Sequence, residues 1–165
     1  MTEFVVMSDT HVPSQADGLP RWVRDRVRAA DHVVHAGDFD STAAYADVAD
    51  LAKDLTAVAG NADPSTLELP DVATIERDGV RIAVTHGHRA ARTSYEDGLR
   101  RTALEADADV DVVVGGHTHQ TLDRALDDVR LLNPGSAAGA APAQRPSVVH
   151  LTAADGDYSV ELERR

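Results

Sequence analysis

Residues 3–7, EFVVM, form a short apolar run that stops at Ser8-Asp9-Thr10-His11, the pattern of a buried strand running into a polar loop. From Leu19 the period changes. Leu19, Trp22, Val23, Val27 and Ala30 recur at helical spacing, with Pro20 in the first turn, where proline is tolerated. DHVVHAGD then predicts a second strand ending at Gly37-Asp38. Ser41-Thr42 can cap a second helix reaching Lys53, with Ala44, Tyr45, Val48, Leu51 and Ala52 on its apolar face. LTAVAGN predicts a third strand, closing at Gly60-Asn61. Strand, helix, strand, helix, strand at this spacing implies right-handed crossovers and a parallel sheet covered by helices.

The second half has a different rhythm. VATIERD and VRIAVTHGH flank Asp78-Gly79, a strong hairpin signal. Residues 94–108 read as a helix and DVVVGGHTH as another buried strand. TLDRALDDVRLLNPGS predicts a hairpin turning at Asp127-Asp128, and the tail a further hairpin near Asp155-Gly156. Residues 134–146, rich in Ala, Gly and Pro, read as a loop. The expected fold is an α/β sandwich in one domain, residues 1–165. A mixed sheet from the first half would pack on a more antiparallel sheet from the second, with helices outside.

Composition narrows the function classes. With no cysteine, neither disulfides nor thiolate metal sites are available. The N-terminal apolar run is too short for a signal peptide, and no run approaches the ~20 residues of a membrane span. A cytoplasmic protein with no membrane partner is expected. The net charge is −12, and of sixteen basic residues only Lys53 is a lysine. An acidic, lysine-poor surface suits a halophilic, salt-rich interior, where self-repulsion is screened. It argues against long nucleic acids, which need a basic footprint.

The chemistry lies at the strand ends. Five of them finish in ligand-type residues: Asp9-Thr10-His11, Gly37-Asp38, Gly60-Asn61, His86-Gly87-His88 and Gly115-Gly116-His117-Thr118-His119. In an open α/β sheet the site lies beyond the carboxyl ends of the strands, so loops far apart in sequence can meet there. If these segments are extended, Asp9 with His11, and His117 with His119, point the same way as paired ligands. Each piece alone is a common turn; together they are hard to obtain by chance. Histidine, aspartate and asparagine donors suit Mn, Fe, Zn, Ni or Mg.

The order D-x-H, GD, GN, H, GHTH resembles the signature of calcineurin-like metallophosphoesterases. The short length, THGH at 85–88 and NPGS at 133–136 resemble its small bacterial and archaeal phosphodiesterase branch. The resemblance implies a four-layer αββα sandwich. It implies two divalent ions, Mn²⁺ first, held by Asp9, His11 and His119 on one side and by Asn61, His86 and His117 on the other, with Asp38 bridging. It further implies phosphodiester hydrolysis by a hydroxide bridging the ions, on a small phosphodiester substrate. A phosphomonoesterase or nuclease is the enzyme alternative. A non-catalytic scaffold related to a retromer subunit is the alternative from another class. The family's dimers and larger assemblies leave room for a homo-oligomer.

The departures from the family pattern bear on the leaving group. No arginine follows Gly37-Asp38 closely, and Ala62 stands where large relatives have a histidine that assists the leaving group. Ala62 has no proton to give, so good leaving groups are favoured, unless Asp63 or His88 donates instead. For Asp63 a turn role before Pro64 is the stronger expectation. Asp38, Asn61 and His88 are the expected catalytic residues. Arg89, Arg92 and Arg145 are within range of a phosphate in sequence terms, though more simply solvated charges. His32, His35 and Trp22 are expected to be structural, and His150 has no assigned role.

Overall fold

The strands follow from alternation on two buried faces. In β1 (Thr2–Met7), Phe4 and Val6 point to one side and Val5 and Met7 to the other, and all four are buried. A strand covered on both faces reads as a continuous apolar run, as this one does. The computed structural model describes residues 1–90 and 94–165. After β1 come α1 (Arg21–Ala29), β2 (His32–His35), α2 (Thr42–Leu51) and β3 (Leu55–Ala57). Next are β4 (Val72–Arg77), β5 (Val80–Thr85), α3 (Tyr95–Ala106) and β6 (Val112–Val114). The chain ends with β7 (Thr121–Leu126), β8 (Val129–Pro134), β9 (Ser147–Ala154) and β10 (Asp157–Arg164).

Two sheets stack, in the orders β10-β9-β1-β2-β3 and β4-β5-β6-β8-β7. Phe4, Val6, Val34, Ile82, Val84, Val112, Val114 and Leu151 fill the space between them. On the outer face of the first sheet, Val5, Met7 and Val33 meet Val23 and Val27 of α1 and Val48 of α2. Outside the second, Ala83, Val113 and Leu131 meet Leu99 and Ala103 of α3. These are the four layers of an αββα sandwich. The start of α2 is capped as expected, the Ser41 hydroxyl accepting the Ala44 N–H, and α3 is capped likewise by Ser94, which accepts the Asp97 N–H, each at 3.1 Å. Among the described residues no helix is long and apolar enough to cross a membrane.

One expectation is corrected. The C-terminal hairpin does not join the second sheet; β9 runs antiparallel to β1 and extends the first, with Phe4 opposite Leu151. Burial explains the choice. Val149, Leu151 and Ala153 supply the inter-sheet core while Val148 reaches the α1–α2 side, so β9 needs a position covered on both faces. The second sheet is as mixed as the first, because β8 returns from its hairpin parallel to β6. The arrangement leaves the carboxyl ends of β1, β2, β5 and β6 on one side, where the loops bearing Asp9, Asp38, His86 and His117 emerge.

Candidate metal centre

The loops of the site hold an unusual backbone. Asp9, His11, Asp38, Asp40, His117 and His119 all have positive φ, between 48° and 78°. Side chains with a Cβ rarely adopt this left-handed conformation, and residues held there cluster at functional sites. The strain is sustained by lacing. The N–H groups of Asp9 and His11 donate to the carbonyls of Gly37 and Asp38 at 3.0 and 3.1 Å. Asp63 adds a carboxylate clamp, accepting the N–H groups of Asp38 (2.9 Å), Phe39 (2.7 Å), Asp40 (3.0 Å) and Gly60 (2.8 Å).

The NPGS segment braces the other side. Asn133 Nδ2 donates to the Gly116 carbonyl at 2.9 Å and to Thr118 Oγ1 at 3.0 Å. The Tyr95 hydroxyl donates to the same carbonyl at 2.6 Å. Burial pushes the Tyr95 hydroxyl well above the usual phenol range, so it keeps its proton. Ser136 Oγ donates to the Asp9 carbonyl at 2.7 Å, tying this segment to the first loop. Two close approaches need glycine. A Cβ on Gly60 would overlap the Asp38 carboxylate, and one on Gly116 would overlap Ser8 Oγ.

Two groups of ligand atoms result. Asp9, His11 and His119 form one, and Asp38, His86 and His117 the other, with the atoms of each within 4.8 Å of one another. Asp38 Oδ2 lies 3.1 Å from His86 Nε2 and 3.4 Å from His11 Nε2, so this carboxylate reaches both groups. Asn61 Oδ1 lies 3.1 Å from His86 Nε2, on the side of the second group. The first group is buried, while Asn61 and His117 are exposed, so the second group opens to solvent.

The donor set demands positive charge. His11 Nδ1 is 2.7 Å from the Asp40 carboxylate, His119 Nδ1 is 2.9 Å from the Ala140 carbonyl, and His86 Nδ1 is 2.7 Å from the Ala36 carbonyl. Each Nδ1 therefore carries its proton outward and presents Nε2 to the centre. The Nε2 atoms of His11 and His119 face each other at 3.1 Å, with the carboxylates of Asp9 and Asp38 alongside. Only a proton or a metal ion can reconcile such acceptors. Burial works to raise the Asp38 carboxyl, but His86 and the Ala62 N–H prevail and hold it down at about 2. Burial likewise opposes a charged His86, yet Asp38 and Asp9 hold its imidazole above the ordinary range. The hydrogen bond with Asp9 does the same for His119. Oxygen and imidazole donors around a partly buried centre fit borderline divalent cations.

A family model of the calcineurin-like phosphoesterase superfamily domain matches residues 2–156. The chain belongs to this superfamily. A probable metallophosphoesterase of Methanothermobacter thermautotrophicus is 38% identical over 132 residues, covering 79% of this chain and 74% of the relative. A phosphodiesterase of Methanocaldococcus jannaschii is 29% identical over 154 residues, covering 81% of this chain and 83% of that one. Among solved structures, wild-type Vps29 of Entamoeba histolytica complexed with Zn²⁺ is similar, with a TM-score of 0.81 at 26% identity, covering 99% of this chain and 98% of the other. The small prokaryotic branch is the right part of the superfamily, and the chain is a phosphoester hydrolase in which metal binding is a family property.

The metallophosphoesterase geometry corrects one detail. His117 and His119 are not a pair on one extended segment: left-handed turns at both send them to different ligand groups. Asp63 takes the turn role that is the stronger expectation for it, and with its two oxygens accepting four backbone N–H groups it is not placed to donate a proton. His88 stands beside the second group, its ring 5.5 Å from that of His86 and 6.3 Å from that of His117. Its Nδ1 is buried with no hydrogen-bond partner, and burial with the neighbouring His86 lowers its pKa.

Elsewhere Arg89 is exposed and paired with Asp71 at 2.9 Å, and Arg92 lies outside the described residues. His32 and His35 are buried and structural; His35 stacks on Phe39 with ring centres 3.6 Å apart, and burial takes its pKa down to about 3. Sequence reasoning missed Asp40, Asn133 and Ser136. The second aspartate of Gly37-Asp38-Phe39-Asp40 was the only available signal for the first. NPGS carries a family resemblance in sequence but no sign of what its side chains do.

Proposed function

We propose that this metallophosphoesterase is a metal-dependent phosphodiesterase acting on small phosphodiesters, with two divalent ions held by Asp9, His11 and His119 and by Asn61, His86 and His117, sharing Asp38. The observation carrying this reading is the convergence of imidazole Nε2 atoms and carboxylates, with the Nδ1 atoms of His11, His86 and His119 each turned outward onto an oxygen acceptor. When bound, such ions lower the pKa of a water molecule and offset charge on the phosphoryl oxygens. Mn²⁺ is the proposed activator.

The chain's own residues supply position and selectivity. Asp40 aims His11, and Asp63 fixes the loop bearing Asp38. The substrate approaches through the exposed side at Asn61 and His117, where the half-buried His88 ring stands beside the second group as the candidate contact for the leaving group. Ala62 offers no proton there and Asp63 is occupied, which favours diesters with good leaving groups. The acidic surface disfavours long nucleic acids. The name of the M. jannaschii relative supports diester chemistry, and the Zn²⁺ complex of the Entamoeba protein supports cation binding in this fold.

The deciding assay compares bis-p-nitrophenyl phosphate with p-nitrophenyl phosphate, using stripped protein with Mn²⁺, Ni²⁺, Mg²⁺ or Zn²⁺ added. Turnover restored by metal and favouring the diester is expected. No turnover with any metal would overturn the reading.

A further inference from the structure

A cavity of about 530 Å³ opens beside the first ligand group, and His119 forms part of its wall. Gln120 leads into β7, Gln144 and Arg145 lie in the loop before β9, and Arg164 ends β10; all of them line the cavity. The segments bearing the two arginines are fixed side by side. Arg164 is in register with Ser147, and the Arg165 N–H donates to the Pro146 carbonyl at 3.2 Å.

The electrostatics single this cavity out. The chain has 28 acidic and 16 basic residues, so an unpaired cation is uncommon. Arg21, Arg24, Arg26, Arg28, Arg77, Arg81, Arg89, Arg100, Arg124, Arg130 and Arg165 all pair with carboxylates. Among the described residues, Arg101, Arg145 and Arg164 have no such partner, and two of these three meet in this one cavity. No carboxylate is among the described residues lining it.

We propose that the cavity is a subsite for a second phosphoryl group, a phosphomonoester carried on one arm of the diester. The proposal rests on the phosphodiesterase reading for its position beside the reaction, and it names the substrate class: nucleotide-like diesters bearing a terminal phosphate. Two guanidinium groups offer planar, bidentate donors that match a dianionic phosphate better than a single carboxylate. The side-chain amides of Gln120 and Gln144 bring neutral donors to the same space. A substrate anchored there would have its diester held against the centre through the shared wall at His119, so Arg145 and Arg164 act as specificity residues.

Binding is tested on the folded, metal-stripped protein by titration calorimetry with thymidine 3′,5′-bisphosphate. Arg145→Ala and Arg164→Ala should each weaken binding by at least about tenfold, since each removes charge-assisted hydrogen bonds. Arg145→Lys should retain part of the affinity. Arg101→Ala, which removes an unpaired arginine outside the cavity, should leave it unchanged. Absent binding, or binding equal in the wild type and both alanine variants, would overturn the subsite. Turnover is scored separately as the ratio of kcat/KM for thymidine 3′-phosphate 5′-(p-nitrophenyl phosphate) to that for thymidine 5′-(p-nitrophenyl phosphate). The ratio should exceed one and fall toward one in Arg145→Ala and Arg164→Ala. Hydrolysis of neither ester would count against the phosphodiesterase reading, whereas hydrolysis of both with a ratio of one would count against the subsite alone.

Discussion

The carboxylate of Asp63 accepts the backbone N–H of Asp38 at 2.9 Å, tying the loop after β3 to the residue that reaches both ligand groups. With three further N–H groups on the same carboxylate, Asp63 fixes the turn that gives Asp38 its positive φ. Asp63→Asn exchanges one acceptor oxygen for a donor that faces N–H groups. A loss of about 1–3 kcal/mol in stability is expected, the usual cost of unpaired buried polar groups. Metal affinity, read by calorimetry, should fall with it. Because Asp63 does not protonate the leaving group, turnover of good and poor leaving groups should drop by the same factor; a selective loss for poor ones would reverse that conclusion.

Asp40 tests whether orientation of a ligand matters as much as the ligand. Its carboxylate lies 2.7 Å from His11 Nδ1, holding Nε2 toward the centre. Asp40→Ala should lower metal affinity by about 10–100-fold, the range typical of such supporting partners. The loss should be confined to one of two titrated sites, since the described contacts join Asp40 to His11 and not to His86 or His117. Unchanged affinity at both sites would remove Asp40 from the centre.

Much of this was legible in the chain because strand ends and ligand types are local signals. EFVVM stopping at SDTH, or VVV running into GGHTH, shows both a buried strand and the loop it feeds. What could not be read is set by long-range geometry. Asp63 clamps Asp38 across 25 positions, and Asp40 meets His11 across 29. Neither partner leaves a periodic trace. The division between His117 and His119 came only through the family resemblance; the left-handed turns that produce it rest on φ values that a pattern of residue types does not encode. The placement of β9 beside β1 depends on which edge of the core is still uncovered, a property of the packed sheets.

Ala62 bears on the leaving group through what it lacks. Its N–H donates to Asp38 Oδ1 at 2.8 Å, while its side chain is exposed at the open side of the centre. Ala62→His can therefore add an imidazole without disturbing that backbone bond. Turnover of diesters with poor leaving groups should rise more than that of aryl diesters, with general acid catalysis contributing up to about 10²-fold. An equal change for both substrates would show that proton donation does not limit the reaction.

The acidic surface carries its own expectation. With a net charge of −12, self-repulsion destabilises the folded chain at low ionic strength and is screened in concentrated salt. The thermal midpoint should rise between dilute buffer and molar KCl. Equal midpoints would remove salt adaptation from the account of this composition.

Glu163 ties the C-terminal strand to α1 and to β9. It accepts from Arg26 Nε at 2.8 Å, lies 2.8 Å from His150 Nε2, and accepts from Arg165 Nε at 2.9 Å. The bond with Arg26 is the chief reason its carboxyl is held down at about 2, from an ordinary value of 4.5. A carboxylate with a depressed folded pKa contributes stability that is complete above the unfolded value and lost as the pH falls through the folded one. The relevant window therefore runs from about pH 4.5 down to about pH 2. Solvent screening around Arg26 limits the contribution to about 1 kcal/mol. Urea unfolding of the wild type and Glu163→Gln should differ by about that amount at pH 7 and converge as the pH approaches 2. A difference that stays constant across the window would mean that the cluster stabilises the fold by packing, with charge contributing nothing.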